Sequence, residues 1–110
     1  MNAISRVLKL SSSGGDIEVP IRISWPVEDK TAWSCRWEIG WPGRKRSSAA
    51  RGADAIQALI NALQMIGSEL YCSKEHKSGR LSWAKKWTGY GFPVPNNVRD
   101  LLIGDDKMSL

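Results

Sequence analysis

Between residues 17 and 41 the chain alternates apolar and polar residues twice over, a pattern that fits a strand and not a helix. Ile17, Val19, Ile21, Ile23 and Trp25 are interleaved with Glu18, Pro20, Arg22 and Ser24. Trp33, Cys35, Trp37, Ile39 and Trp41 are interleaved with Ser34, Arg36, Glu38 and Gly40. A period of two puts each apolar set on one side of an extended strand. The two runs are expected to form an antiparallel hairpin around a polar loop, Pro26 to Ala32. Its expected register sets Trp25 opposite Trp33, Ile23 opposite Cys35, Ile21 opposite Trp37, Val19 opposite Ile39 and Ile17 opposite Trp41, since every pair on that face is then apolar. Pro20 has no N–H to give to a ladder, which points to an edge strand or a bulge.

The flanking sequence extends the sheet and then changes period. Ile4 to Leu10 reads as a first strand, closed by the loop Ser11 to Gly15, and Pro42-Gly43 as a tight turn into a fourth strand, Arg44 to Arg51. The small residues Ser47 to Ala50 then lie beside the bulky Trp37. Asp54 followed by Gln57 is a capping-box variant that opens a helix running to about Ser73, with Lys74, His76 and Lys77 near its carbonyl end and Gly79 as a stop. Ile56, Leu59, Ile60, Leu63, Ile66 and Leu70 recur at helical spacing and are the predicted sheet-facing stripe. Arg80 to Trp83 reads as a short strand, the two prolines in Gly89 to Pro95 require extended backbone, and Val98 to Ile103 allows one or two helical turns. The expected fold is α+β: a four-stranded antiparallel meander packed against one long α-helix, with an extended aromatic C-terminal segment. Residues 4–103 form one domain in this reading and 104–110 a flexible C-terminal tail.

Simple dimensions make this architecture incomplete. Four strands span about 19 Å, whereas a helix with its side chains covers about 10–12 Å. The C-terminal segment (Trp83, Trp87, Tyr90, Phe92) or a second protein molecule must shield the rest of the tryptophan-bearing face. The helix poses the same question. It carries no charged residue from Ala55 to Ser68, and Ala55, Ala58, Ala62 and Met65 form a second stripe of small side chains beside Gln57, Asn61 and Gln64. This flank is read as a candidate interface, most simply a homodimer contact, with intramolecular packing against the C-terminal segment as the alternative.

The net charge of +5 is concentrated in two segments, 44–52 and 74–88, each carrying +4. Arg44, Lys45, Arg46 and Arg51 with Lys85, Lys86 and Trp87 are the candidate contacts to an anion or to single-stranded nucleic acid, because such binding combines cations with stacking rings. Motifs for catalysis are absent: there is no glycine-rich phosphate loop and no carboxylate pair at a spacing for acid–base work, and no cofactor is called for. Glu69, Cys72 and His76 share a helix face, but no second cluster closes a metal site, and the helix dipole opposes a thiolate at Cys72. Cys35, between two inward tryptophans, is core. The first ten residues mix Arg6 and Lys9 into apolar sequence and do not read as an export signal, and no run has the length of a membrane helix. Two cysteines without such a signal are expected to be reduced thiols in the cytoplasm.

Trp33-Ser34-Cys35-Arg36-Trp37-Glu38-Ile39 ahead of Trp41-Pro42-Gly43, Asp54-Ala55-Ile56-Gln57-Ala58-Leu59 leading to Gly67-Ser68-Glu69-Leu70-Tyr71, then Gly79-Arg80-Leu81 and Gly91-Phe92-Pro93-Val94-Pro95, resemble a family of small bacterial proteins classed as a domain of unknown function. The likeness covers most of residues 4–95. It implies a bacterial cytosolic protein and supplies no activity or site. The expected role is a non-enzymatic binding module for a protein partner or a second copy of the chain, with a single-stranded nucleic-acid binder as the alternative.

Overall fold

The computed structural model describes residues 3–110. Strands β1 (Ala3–Ser12) and β2 (Gly15–Ser24) form a hairpin paired along its whole length, from Ala3↔Ser24 to Ser12↔Gly15. A short strand β3 (Val27–Asp29) follows, then β4 (Ala32–Trp41) and β5 (Arg44–Gly52). Pro42-Gly43 makes the predicted turn between the last two, with Gly43 at φ 78°. Trp37 faces Ser48, as the size of the residues requires. A two-residue β6 (Leu81–Ser82) adds to the outer side of β1. Among the described residues the sheet is antiparallel and has six strands: the four of the expected meander, β6 within the short strand expected at Arg80 to Trp83, and β3, in a segment read as a loop.

Two details of the expected hairpin change. β2 pairs with β4 through Ile21↔Ile39, Arg22↔Glu38 and Ile23↔Trp37, two residues from the predicted register. A shift of two keeps every side chain on its face, so apolar pairing cannot distinguish the two registers. The reason lies in the segment read as a loop: its Val27 to Asp29 pair with Ser34 to Ala32 as β3, so the chain reverses at Lys30-Thr31, with Lys30 at φ 56°. The frame slips by one between β2 and β3, the mark of a bulge around Trp25-Pro26. Nor is β2 at an edge. It lies between β1 and β4, and Pro20 is tolerated one residue beyond the end of the β4 ladder.

Helix α1 (Ala55–Tyr71) begins as predicted. The Asp54 carboxylate accepts from the Gln57 amide at 2.8 Å, and the Gln57 side chain reaches back to accept from the Ala53 amide at 2.6 Å. It ends sooner than expected, at Cys72. The Ser73 hydroxyl accepts from the His76 amide and starts a separate four-residue helix, α2 (Lys74–Lys77), with Gly79 following at φ 75°.

The face that α1 turns to the sheet corrects the sequence reading. Ala58 and Ala62 are 0% exposed, with Ile66 and Leu70 beside them, whereas Ile56 is 69% and Ile60 47% exposed. The backbones account for this. A Cβ on Gly52 would lie 2.4 Å from the Ala58 nitrogen, so α1 rests almost directly on β5. With Trp37 and Trp41 filling the space between the layers, only small helical residues permit that approach. The alanine stripe is therefore core.

The remaining inner face, over β1 and β2, is covered by residues 83–95, a strap without helix or strand. Tyr90, Phe92 and Val94 are buried. Arg6 projects from β1 into the strap, donates to the carbonyls of Tyr90 (3.0 Å) and Gly91 (2.9 Å), and lies 3.9 Å from the Trp83 ring and 4.8 Å from that of Phe92. A 3₁₀ turn over Asn96–Leu101 leads to α3 (Gly104–Ser109). Residues 104–110, expected as a tail, thus contain a helix, and its Asp106 is 0% exposed. Among the described residues no helix is long and apolar enough to cross a membrane.

Candidate functional site

Ile56, Ile60, Leu63, Gly67 and Tyr71 follow one another along α1 at steps of four, three, four and four, so they share one flank. The C-terminal half of that flank is filled: the strap crosses at Gly67, where an added Cβ would meet the Pro93 carbonyl oxygen at 2.0 Å, and Tyr71 is buried. The N-terminal half is not. A hollow of about 200 Å³ opens where the strap stops, lined by Ile4, Arg6, Ile23, Leu63, Phe92 and Pro93. Beyond it lie Ile60 and Ile56. Trp25, 54% exposed, stands at the same end of the sheet, between the rows of Trp37 and Ser34. The result is a hollow with an apolar wall of Ile4, Ile23, Leu63 and Phe92 and a polar edge of Ser5 and Arg6, with the exposed Ile60 and Ile56 continuing the same helix flank beyond it.

The candidate interface residues are distributed differently from expectation. Ala58 and Ala62 are buried on the sheet, and Ala55 and Met65 are partly covered. Asn61 donates to the Arg51 carbonyl at 2.8 Å, and Gln57 serves the helix cap. Gln64 is half-buried. The exposed large apolar residues of α1 are instead Ile56 and Ile60, which the sequence assigned to the core.

The basic segment 44–51 is already paired with acids. Arg44 holds Glu75 through two hydrogen bonds, 2.8 and 3.2 Å, and lies over the Trp41 ring. Lys45 pairs with Glu38 at 3.0 Å, Arg46 with Glu69 at 2.9 Å, and Arg51 approaches Asp29 at 3.9 Å. The hydrogen bonds from Arg44, outweighing its burial, hold the Glu75 carboxyl below its ordinary range. Lys85 and Lys86 are exposed, but the Trp87 ring packs edge-on against Trp83 and its indole N–H donates to Asp106. Arg44 reaches Glu75 of α2, which links the two basic segments.

The aromatic and polar residues with the densest contacts have a different role from the one the sequence offered, which grouped His76 with Glu69 and Cys72 and read Tyr90 only as part of the covering segment. Tyr71, His76 and Tyr90 pack ring against ring, and His76 Nδ1 is hydrogen-bonded to the Tyr90 hydroxyl. Burial, and then the neighbouring Lys77 charge, lowers the pKa of His76. Burial raises both tyrosines, that of Tyr90 to about 12, with the Asp106 charge adding to the effect. Cys35 is buried, with its thiol pushed up by desolvation, and Cys72 is an exposed free thiol. Among the described residues no three His, Cys, Asp or Glu side chains are grouped so as to hold a metal ion. Arg46 engages Glu69, and His76 is turned to Tyr90.

Among the described residues these features define an α+β domain with an antiparallel sheet, in which one long helix and a strap share one apolar face and leave part of it open. Residues 4–94 match the family described as a domain of unknown function (DUF6968), and the chain belongs to that family. No curated protein and no solved structure matches the chain significantly.

Proposed function

We propose that this domain is a non-enzymatic protein-interaction module of the bacterial cytoplasm, and that its contact surface is the open half of this α1 flank, Ile56, Ile60 and Leu63 with Ile4. The observation that carries the reading is the unequal filling of one continuous flank: the strap buries Gly67 and Tyr71, while Ile56 and Ile60 on the same flank face solvent. Exposed large aliphatic residues grouped beside a hollow are the usual mark of a docking site. The two free thiols fit a reducing compartment.

A second copy of the chain is the occupant that the charge distribution favours. The chain carries +5, yet α1 has no charged residue before Glu69, and Gln57, Asn61 and Gln64 border the exposed stripe. Two copies therefore meet along this helix without opposing like charges, which elsewhere on so basic a surface would disfavour self-association. The nucleic-acid reading has less support, because each of the four cations in 44–51 already faces a carboxylate. An NMR dilution series tests the proposal: amide shifts that change with concentration and cluster at Ile56 to Leu63 and Ile4 support it, and a spectrum unchanged by dilution rejects the second copy as partner.

A further inference from the structure

Asp106 is fully buried, although it belongs to a six-residue helix close to the end of the chain. Its carboxylate accepts four hydrogen bonds. Oδ2 takes them from the Tyr71 hydroxyl (2.5 Å) and the Tyr90 amide (2.7 Å), and Oδ1 from the Trp87 indole N–H (2.6 Å) and the Gly91 amide (2.8 Å). Four donors match the lone-pair capacity of a carboxylate. Two successive amides converging on one anion form a nest, and this one is flanked by left-handed glycines, Gly89 at φ 108° and Gly91 at φ 73°. A Cβ on Gly89 would lie 2.4 Å from Asp106 Cγ, so the backbone is drawn against the anion as closely as glycine allows.

All four donors belong to residues 71–91, and none to α3. The helix that delivers the carboxylate has little else to hold it: Asp106 is its sole buried residue, and Met108 is almost fully exposed. Within α3 its other attachments are polar and local, the Thr88 amide donating to Asp105 Oδ2 (2.6 Å) and the Asp105 and Asp106 amides to the Thr88 carbonyl (2.8 and 3.4 Å). The apolar anchor, Leu102, and the Ile103 amide on the Tyr71 hydroxyl (3.5 Å) lie ahead of the helix, where they can hold the chain while α3 opens. A segment that buries almost no apolar surface belongs to the low-stability end of a fold and opens without global unfolding. By contrast, the cradle is anchored by Tyr71 in the core and by the strap that Arg6 holds.

We propose that Tyr71, Trp87 and the amides of Tyr90 and Gly91 form a carboxylate-binding site, which Asp106 fills in cis as a detachable plug and which another carboxylate takes when α3 undocks. The ligand is a carboxylate, either free or carried on a protein side chain, and the linked Asp106 competes with it at high effective concentration.

Chemical rescue tests the site. In Asp106→Gly the cradle is vacated, and sodium formate is expected to raise the melting temperature by about 3 °C or more over sodium chloride at equal ionic strength. Wild type and the double variant Tyr71→Phe/Asp106→Gly should not share the gain. A peptide of residues 103–110 added in trans separates the two sources: rescue by the peptide at lower concentration than formate assigns the site to side-chain carboxylates, and rescue by formate alone assigns it to free ones. Stabilisation by neither overturns the proposal. Native-state hydrogen exchange of the wild type tests the plug even if the variant does not fold. The Tyr90 and Gly91 amides should exchange through a local opening, faster than the amide of Ile66, and exchange of all three only on global unfolding would contradict a detachable α3.

Discussion

Gly67 and Pro93 meet so closely that a methyl group on the glycine would lie 2.0 Å from the proline carbonyl oxygen. This contact joins α1 to the strap and decides where the open part of the flank ends. Gly67→Ala must push the strap away, at a cost of about 1–3 kcal/mol typical of overpacking against backbone. Urea denaturation should show that loss together with greater exposure of Phe92. Gly52→Ala should cost a comparable amount at the opposite end of the helix, because its Cβ would meet the Ala58 backbone.

Mild acid should weaken the fold through His76, the only histidine of the chain. Burial and Lys77 place its folded pKa below the ordinary 6.5, and the Tyr71 and Tyr90 rings pack against it. The unfolded chain therefore binds the proton more readily. Stability is complete above the unfolded value and is lost as pH falls from there through the lower folded value, so the melting temperature should begin to drop as pH is lowered below about 6.5. His76→Gln should flatten that slope. The Glu75 contribution lies in a separate window, below its ordinary 4.5.

At the alkaline end the sign is reversed. The chain's two tyrosines, Tyr71 and Tyr90, both hold their protons more tightly when folded, Tyr90 up to about 12. Stability should be full below the ordinary tyrosine value of 10 and decline as pH rises above it, since the unfolded chain ionises first. Ultraviolet titration at pH 10.5 should show almost no tyrosinate in the folded protein and about one and a half tyrosinates per chain in urea.

Thiol chemistry should separate the two cysteines. Ellman's reagent is expected to modify Cys72 alone in the native protein and Cys35 only after unfolding, because Cys35 is buried and its thiol raised by desolvation. Equal reactivity of both in the native state would place Cys35 at the surface.

Much of the sheet was legible because period two is unambiguous in β2 and β4, and because Pro42-Gly43 and the Asp54–Gln57 cap are local chemistry. The β2–β4 register was not, since a slip of two residues leaves Ile21 and Ile23 facing apolar partners. The rotation of α1 was hidden for a different reason. Hydrophobicity favours Ile56 and Ile60 over Ala58 and Ala62, whereas the space beneath the helix is already filled by Trp37 and Trp41, and volume selects the alanines. Asp106 escaped notice because nothing in Gly104 to Leu110 signals that four donors from distant segments converge there.

Ile56 and Ile60, as the proposed contact between copies, can be checked in solution. Sedimentation equilibrium of the wild type and Ile60→Asp tests this contact most directly, since Ile60 is 47% exposed and its replacement leaves the core intact. The wild type is expected to form a concentration-dependent dimer and the variant a folded monomer. A wild-type monomer at several hundred micromolar, or a dimer equally strong in both proteins, would contradict the contact.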